Sequence, residues 1–462
     1  MSLSRSVFKR YDIRGNADRD FADSDIVTLG CAIGTYFVEQ LGVMSTYVGA
    51  DNRLSSERLR THLTEGLLSV GVDVIDLGTV STPNLYWYAA SKRTAGIMIT
   101  GSHLDPEFNG FKLCVGVQAL HSEAIQSIYR LTESRQFAVG QGKREVEAGA
   151  VVTYLDAVSR KVAMGRRLRV AVDCGNGTSG LYTELLFRNH WQHDLIAINQ
   201  TLDGRFPSHS PDPQHEENLS ELRRLVVDQR ADIGLIFDGD ADRVVAVDER
   251  GAIIRPDRML ALLAQDALSR NPGATIIADV TSSQTVFDAV RQSGGTGIMW
   301  KTGHSLIKEK MQATNAILAG EISGHIFFAE DYFGFDDAYL AAGKLLQVLS
   351  HTTDTLAELD SRLPTYVSSK VYRLPYSADI VADVLAALRH DLGGQADIIE
   401  LDGIRANFPN GWFVVRSSNT EPVLSIRIEG KTAADVDVYR NVLVDTLRGF
   451  DRIDISDLAG NA

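Results

Sequence analysis

The sequence predicts an α/β protein made of three similar open-sheet units followed by one separate α+β unit. Three observations predict it: a strand-helix-strand-helix-strand order that recurs three times, a polar turn directly after the third strand of each copy, and a change of pattern beyond residue 367. At 462 residues the chain exceeds one compact core, so it can build a cleft between units.

In the first unit Thr46 to Asp51 reads as a strand, Ser55 to Val70 as a helix, Val72 to Leu77 as a strand, Pro83 to Lys92 as a helix and Ala95 to Thr100 as a strand, after which comes Ser102. The second runs from strand Leu168 to Asp173 through helix Ser179 to Asn189, strand Leu195 to Asn199 and helix Asn218 to Gln229 into strand Asp232 to Phe237, and Asp238 follows. The third runs from strand Thr275 to Val280 through helix Ser283 to Gln292, strand Gly297 to Trp300 and helix Ser305 to Gln312 into Ala316 to Ala319, and Glu321 follows. Ligands of open α/β sheets collect beyond the carboxyl ends of strands, so the three turns can face one cleft. The last unit places helices Asp379 to Leu392 and Ala433 to Leu447 around strands such as Gly411 to Arg416 and Val423 to Glu429. The expected units are 1–148, 149–253, 254–366 and 367–462.

Composition narrows the function classes. With 44% hydrophobic and 23% charged residues the chain is an ordinary globular protein, and 46 basic against 60 acidic side chains give a net charge of -14. That charge argues against nucleic acid and anionic membrane as partners, and an anionic ligand must be met by local basic groups. Cys31, Cys114 and Cys174 are scattered and lack metal-ligand spacing, which fits a reduced cytoplasm. No long apolar run suggests export or membrane insertion, and a monomer is the default expectation.

Five motifs carry chemistry. Ser102 offers a hydroxyl directly after a strand, beside His103 and with Lys112 nearby, as a phosphorylatable nucleophile requires; a capping serine has the same local pattern. The Gly-x-Ser-x-Gly elbow of hydrolases is absent, since Leu104 stands where its second glycine belongs. Asp238-Gly239-Asp240-Ala241-Asp242-Arg243 sets three carboxylates between apolar strands, where they repel one another unless a hard cation joins them. An EF-hand is excluded because its glycine position holds Arg243 and the flanks read as strands. Arg416-Ser417-Ser418-Asn419-Thr420 combines a guanidinium with hydroxyl, amide and backbone donors that can wrap a phosphate, although an ordinary polar turn looks similar. Glu321-Ile322-Ser323-Gly324-His325 suits adjacent sugar hydroxyls, and Thr302-Gly303-His304-Ser305 opens a helix whose amides favour anions. Arg14 in Tyr11-Asp12-Ile13-Arg14-Gly15 and the tight turn Gly175-Asn176-Gly177-Thr178 say little singly.

Together and in this order the motifs resemble the α-D-phosphohexomutase family, most closely its bacterial phosphomannomutase/phosphoglucomutase branch, over nearly the whole chain. The resemblance implies three related α/β domains with mixed sheets and a fourth domain similar to the TATA-binding-protein fold, arranged around a central cleft. It implies that Ser102 is phosphorylated and that Asp238, Asp240 and Asp242 hold Mg2+ together with the Ser102 phosphate. Glu321 and Ser323 then contact sugar hydroxyls, while Arg416, Ser418, Asn419 and Thr420 grip the non-reacting phosphate. Arg14, His103, Lys112, Arg243, His304 and His325 line the reaction centre, with Lys112 and His103 the first candidates for proton transfer.

The implied activity is an isomerase that interconverts hexose 1-phosphates and 6-phosphates through a bound 1,6-bisphosphate, with glucose 1,6-bisphosphate as activator or intermediate. Asn419 and Gly101 favour mannose and glucose phosphates over glucosamine phosphate; a phosphoglucosamine mutase is the nearest alternative, and a phosphatase or a non-catalytic sugar-phosphate binder the alternatives of another class. Three departures from the family pattern stand out: Leu104 and Asp105 replace the usual Asn after His103, and Thr281 stands where the branch commonly has lysine.

Overall fold

The computed structural model describes residues 3–376, 380–417 and 423–460. Four sheets follow one another along the chain. In the first, Asp73–Thr79, Ser45–Ala50 and Ala95–Ile99 lie parallel, and Phe108–Val115 then returns antiparallel with Ile13–Asn16 on its far side. The second joins Asp194–Ile198, Arg169–Asp173 and Ile233–Phe237 in parallel and adds Val244–Asp248 antiparallel. The third repeats the plan with Thr296–Trp300, Thr275–Asp279 and Leu318–Gly320, closed by the antiparallel Ile326–Phe328.

In every unit, therefore, the polar turn is the connection of a hairpin. It lies between Ile99 and Phe111, between Phe237 and Val244, and between Gly320 and Ile326. A hairpin fixes both ends of its connecting segment by backbone hydrogen bonds, which holds charged side chains in place better than a free loop would. The antiparallel partner also makes each sheet mixed, as the family resemblance implies.

The fourth sheet is antiparallel, with Gly411–Ser417 between Ile404–Phe408 and Val423–Gly430, and helices Val381–Asp391 and Ala433–Leu447 accompany it. Its own apolar core includes Phe413, Ile426 and Leu443. The second and third sheets instead share one continuous core, in which Phe187 and Phe237 meet Tyr339 and Leu345. Charged groups dock the fourth unit on the third. Arg405 lies 3.7 Å over the Trp412 ring and donates to the Val280 carbonyl at 2.7 Å, and Arg427 reaches Asp257 at 2.8 Å.

Two of the differences from expectation have a packing cause. Residues 179–189 do not form one α-helix: Thr178–Leu181 is a 3-10 turn and Glu184–His190 a π-helix. Gly180 is pressed so close to Gln200 that a Cβ there would lie 2.0 Å from its carbonyl oxygen, which ties the first turn down. A further helix, Asp23–Leu41, packs on Ser56–Ser69 through Gly30 and Gly66, where added Cβ atoms would stand 2.3 and 2.2 Å from the facing carbonyls. Interior glycines depress helix propensity, and here they allow two helices to touch backbone to backbone.

Candidate active site

Ser102 occupies a left-handed backbone position, φ +53°, in the first hairpin connection. Such a conformation costs a non-glycine residue roughly 1 kcal/mol or more, so the surroundings must impose it. They do so through Arg53, which donates to the carbonyls of Ser102 (2.8 Å), Leu104 (2.6 Å), Asp105 (2.6 Å) and Phe108 (3.0 Å) while pairing with Asp51 at 3.2 Å. Asp51 also accepts the Gly101 N–H, and the Ser102 N–H goes to Thr100 Oγ1 at 2.8 Å. Clamped in this way, the Ser102 hydroxyl donates to Asp238 Oδ2 at 3.0 Å, with His103 Nδ1 3.1 Å away. The Asp105 side chain is exposed, so its extra charge faces solvent rather than the serine.

The second connection supplies a fully buried carboxylate cluster. Asp238 Oδ1 accepts the backbone N–H groups of Asp242 and Arg243 at 3.1 Å each, which leaves Oδ2 facing Ser102. Asp240 Oδ2 accepts from Thr82 at 2.5 Å and from Lys112 at 2.7 Å. Lys112 also reaches Asp242. Burial, together with Asp242 and Asp240, pushes the Asp238 carboxyl well above its usual range. For Lys112 burial acts downward, but the two aspartates outweigh it and drive the ammonium well above the usual lysine value, so it holds its proton.

This cluster fits a metal ion. The three carboxylates offer ligand oxygens within 4.8 Å of one another, and Asp240 Oδ1 and Asp242 Oδ1 are buried with no hydrogen-bond partner. An all-oxygen, acid-rich donor set suits a hard divalent cation.

The third sheet delivers histidines to the same cluster. Arg243 donates from Nε to His325 Nε2 at 3.0 Å, and His325 Nδ1 lies 3.2 Å from Asp336 and 3.6 Å from Asp242. His304 stacks on His325 at 5.6 Å between centroids and stands 3.6 Å from Asp336, which Lys308 holds at 2.9 Å. Burial and nearby cations, led by Arg243 for His103 and Lys308 for His304, hold both imidazoles well below their usual range, so both are neutral. Glu321 accepts the Gly303 N–H at 2.5 Å, and burial raises its carboxyl to about 7.

Ser102, His103, Lys112, Asp238, Asp240, Asp242, Arg243, His304 and His325 thus form one connected network drawn from three sheets. Arg14 pairs with Asp12 at 2.6 Å, and its charge reaches His103. Ser323 Oγ is buried without a partner. Arg416 pairs with Asp402 at 2.9 Å, and the charges of both act on Tyr11, whose ring abuts Gly303. Ser418, Asn419 and Thr420 lie outside the described residues. Thr281 does not leave an empty space: its hydroxyl caps the buried Asp279, which Ser282 and Thr302 also engage.

Sequence reasoning overlooked Arg53, Asp51, Thr82, Lys308 and Asp336. Asp51-Asn52-Arg53 directly after a strand, and Lys308 one helical turn after His304, were the available signals.

Models of the phosphoglucomutase/phosphomannomutase family match in four consecutive segments: alpha/beta/alpha domain I at residues 5–139, domain II at 152–251, domain III at 255–366 and the C-terminal domain at 373–445. A phosphomannomutase/phosphoglucomutase of Pseudomonas aeruginosa is 40% identical over 453 residues, covering 97% of each chain. A phosphoglucomutase of Neisseria gonorrhoeae is 39% identical over 95% of this chain and 96% of its own. Among solved structures, a phosphoglucomutase/phosphomannomutase family protein of Burkholderia thailandensis superposes with a TM-score of 0.90 at 36% identity, covering 97% of this chain and 98% of that one.

Proposed function

The chain belongs to the phosphoglucomutase/phosphomannomutase family, and from that premise we propose that it is a phosphomannomutase/phosphoglucomutase working through phospho-Ser102. The observation that carries this reading is the Ser102 hydroxyl 3.0 Å from Asp238 in a carboxylate cluster that Lys112 and Arg243 border. A phosphoryl group in transit spreads charge over its oxygens, and catalysis consists mainly of positioning and offsetting that charge.

Asp238, Asp240 and Asp242 would hold magnesium beside the Ser102 oxygen. The bound ion would supply electrostatic stabilisation of the phosphoryl and serine oxygens. Arg53 and Thr100 orient Ser102, and Lys112, locked in its protonated form, offers charge rather than a base. In the proposed transfer, the bond from phosphorus to Ser102 Oγ breaks as the free hydroxyl of a hexose monophosphate bonds phosphorus and gives up its proton. The resulting 1,6-bisphosphate reorients and returns its other phosphoryl group to Ser102.

Burial separates this reading from a phosphatase. Ser102 is 1% exposed, so water has little access to a phosphoserine there. Glu321, Ser323 and the Arg416 loop are the proposed sugar and distal-phosphate contacts. A coupled assay with glucose 1-phosphate, mannose 1-phosphate and glucosamine 1-phosphate, with and without magnesium and glucose 1,6-bisphosphate, tests the proposal. Bisphosphate-stimulated isomerisation without net phosphate release is expected for the first two sugars; phosphate release alone, or binding without turnover, would refute it.

A further inference from the structure

Every N–H of the Arg53 side chain is engaged. Nε donates to Asp51 Oδ2 at 3.2 Å, Nη1 to the carbonyls of Asp105 and Phe108, and Nη2 to those of Ser102 and Leu104. A guanidinium has five donors around its edge, so any further contact must come over its flat faces. Two residues approach there. Gly101 passes so close that a Cβ would stand 2.5 Å from Arg53 Cζ, and the Phe206 ring lies with its centroid 5.0 Å from the same atom. Between them the Arg53 side chain is 0% exposed.

Phe206 belongs to the second unit, and its backbone is unusual. Its φ is +50° and the residue is buried, a conformation that a bulky side chain keeps only where the surroundings impose it. The turn Gly175-Asn176-Gly177-Thr178 supplies the support. The Asn176 carbonyl accepts both the Asp203 N–H at 3.0 Å and Asn52 Nδ2 at 2.8 Å, which joins the Phe206 loop to the segment that carries Arg53. The Phe206 N–H returns to the Asp203 carbonyl at 2.9 Å. Gly204 rests directly on the first unit, since a Cβ there would lie 2.5 Å from the Asn52 carbonyl oxygen and 2.7 Å from Arg53 Cα. The same turn also holds the carboxylate loop, because the Gly239 carbonyl accepts the Thr178 N–H at 3.0 Å and the Thr178 hydroxyl at 3.1 Å.

We propose that Phe206 is a positioning residue for Ser102: its ring covers the Arg53 guanidinium and keeps it on the carbonyls that shape the Ser102 turn. The inference rests on the mutase reading above. A cation over an aromatic face is held most firmly where water is excluded. Without the ring, water reaches the guanidinium, competes for its N–H groups and loosens the four carbonyls. Ser102 Oγ then shifts against the carboxylate cluster, and group transfer is sensitive to displacements of about 1 Å. The proposed sugar and distal-phosphate contacts, Glu321, Ser323 and the Arg416 loop, lie on other units and keep their places. Loss of the ring therefore acts on the transfer step rather than on substrate binding.

The test joins proton-nitrogen correlation spectra of the full chain carrying nitrogen-15 arginine with steady-state kinetics on glucose 1-phosphate. Arg53→Lys removes the Arg53 Nε–H signal and so assigns it. In the wild type this N–H is expected to exchange slowly with water. Phe206→Leu keeps an apolar side chain but loses the ring face, and exchange should quicken about 10-fold or more, the scale of a desolvated cation-ring contact. kcat should fall about 10-fold or more while KM changes less than about 2-fold, as expected when a reacting group is misplaced. Gly204→Ala, which pushes the loop off Arg53 without touching the ring, should act in the same direction. Phe206→Tyr keeps the ring and should retain slow exchange and most of kcat. Phe37→Leu, in the apolar core of the first unit, is the control for lost stability and should lower the melting temperature without moving either readout. Unchanged exchange and kcat in Phe206→Leu, or a fall in kcat that Phe37→Leu matches at equal loss of melting temperature, overturns the proposal. Exchange is read without turnover, so fast exchange in Phe206→Leu of a chain that isomerises no hexose phosphate supports the Arg53 contact and counts against the mutase reading alone.

Discussion

The Lys112 ammonium rests 2.7 Å from Asp240 Oδ2, so a cation of the protein's own already stands in the carboxylate cluster. A divalent ion entering there meets a like charge at short range. Lys112→Met is therefore expected to tighten binding of Mg2+ or Mn2+ by roughly 10-fold, about 1.4 kcal/mol, as followed by calorimetric titration. The metal-free variant should lose about 3 kcal/mol of stability, since buried Asp240 and Asp242 lose their counter-charge. Turnover should fall despite the tighter metal. Weaker metal binding in the variant would show that the lysine supports the ion rather than competing with it.

Ser102→Ala should abolish the covalent phosphate adduct seen by intact mass after incubation with glucose 1,6-bisphosphate, and with it all turnover. The fold should be unaffected, because the left-handed backbone at φ +53° is imposed by Arg53 and Thr100 rather than by the hydroxyl. A melting temperature within a few degrees of wild type is the control. An adduct that persisted in the variant would remove Ser102 from the mechanism.

Arg53→Lys should cost both stability and activity. An ammonium cannot serve four carbonyls and Asp51 in the planar arrangement that the guanidinium satisfies, and a loss of about 3 kcal/mol is expected where a buried pair is broken. Gly101→Ala probes the same clamp from the other side, since a Cβ at that position would stand 2.5 Å from the Arg53 guanidinium. Overpacking of this kind costs about 1 to 3 kcal/mol. Glycine at 101 thus answers to the close approach of Arg53. Denaturation curves and initial rates for the two variants check this, and wild-type behaviour in both would mean that the clamp is dispensable.

The three polar turns were legible because each follows an apolar strand, and the carboxylate cluster because three aspartates lie between two apolar strands. The charges that organise them were not. Arg53 takes its carbonyls from positions 49 to 55 residues further along, and Lys112 meets its aspartates across 128 and 130 residues. Local pattern carries no record of such pairings. Lys112 stands near Ser102 in sequence and reads there as nearby positive charge, and the tertiary pairing sets that charge against Asp240 and Asp242. Helix Asp23–Leu41 escaped notice for a related reason, since Gly30 and Gly34 weaken its local signal while serving a contact that exists only after folding.

Glu321 sets a pH dependence whose sign follows from its environment. Burial, reinforced by Asp279, raises its carboxyl from 4.5 to about 7 against the opposing pull of His325, the Gly303 N–H and Arg243. The fold therefore favours the protonated acid. Its contribution to stability is complete below the unfolded value near 4.5 and is lost as pH rises through about 7. Glu321→Gln preserves a carbonyl oxygen for the Gly303 N–H, resembles the protonated acid and cannot ionise. Between pH 5 and pH 8 the wild type should lose ground to the variant by about 3 kcal/mol, visible as a melting-temperature difference that grows with pH. If the two melting curves instead shift in parallel over that range, Glu321 is ionised throughout, and a neutral hydrogen-bond donor to a sugar hydroxyl at this position is excluded.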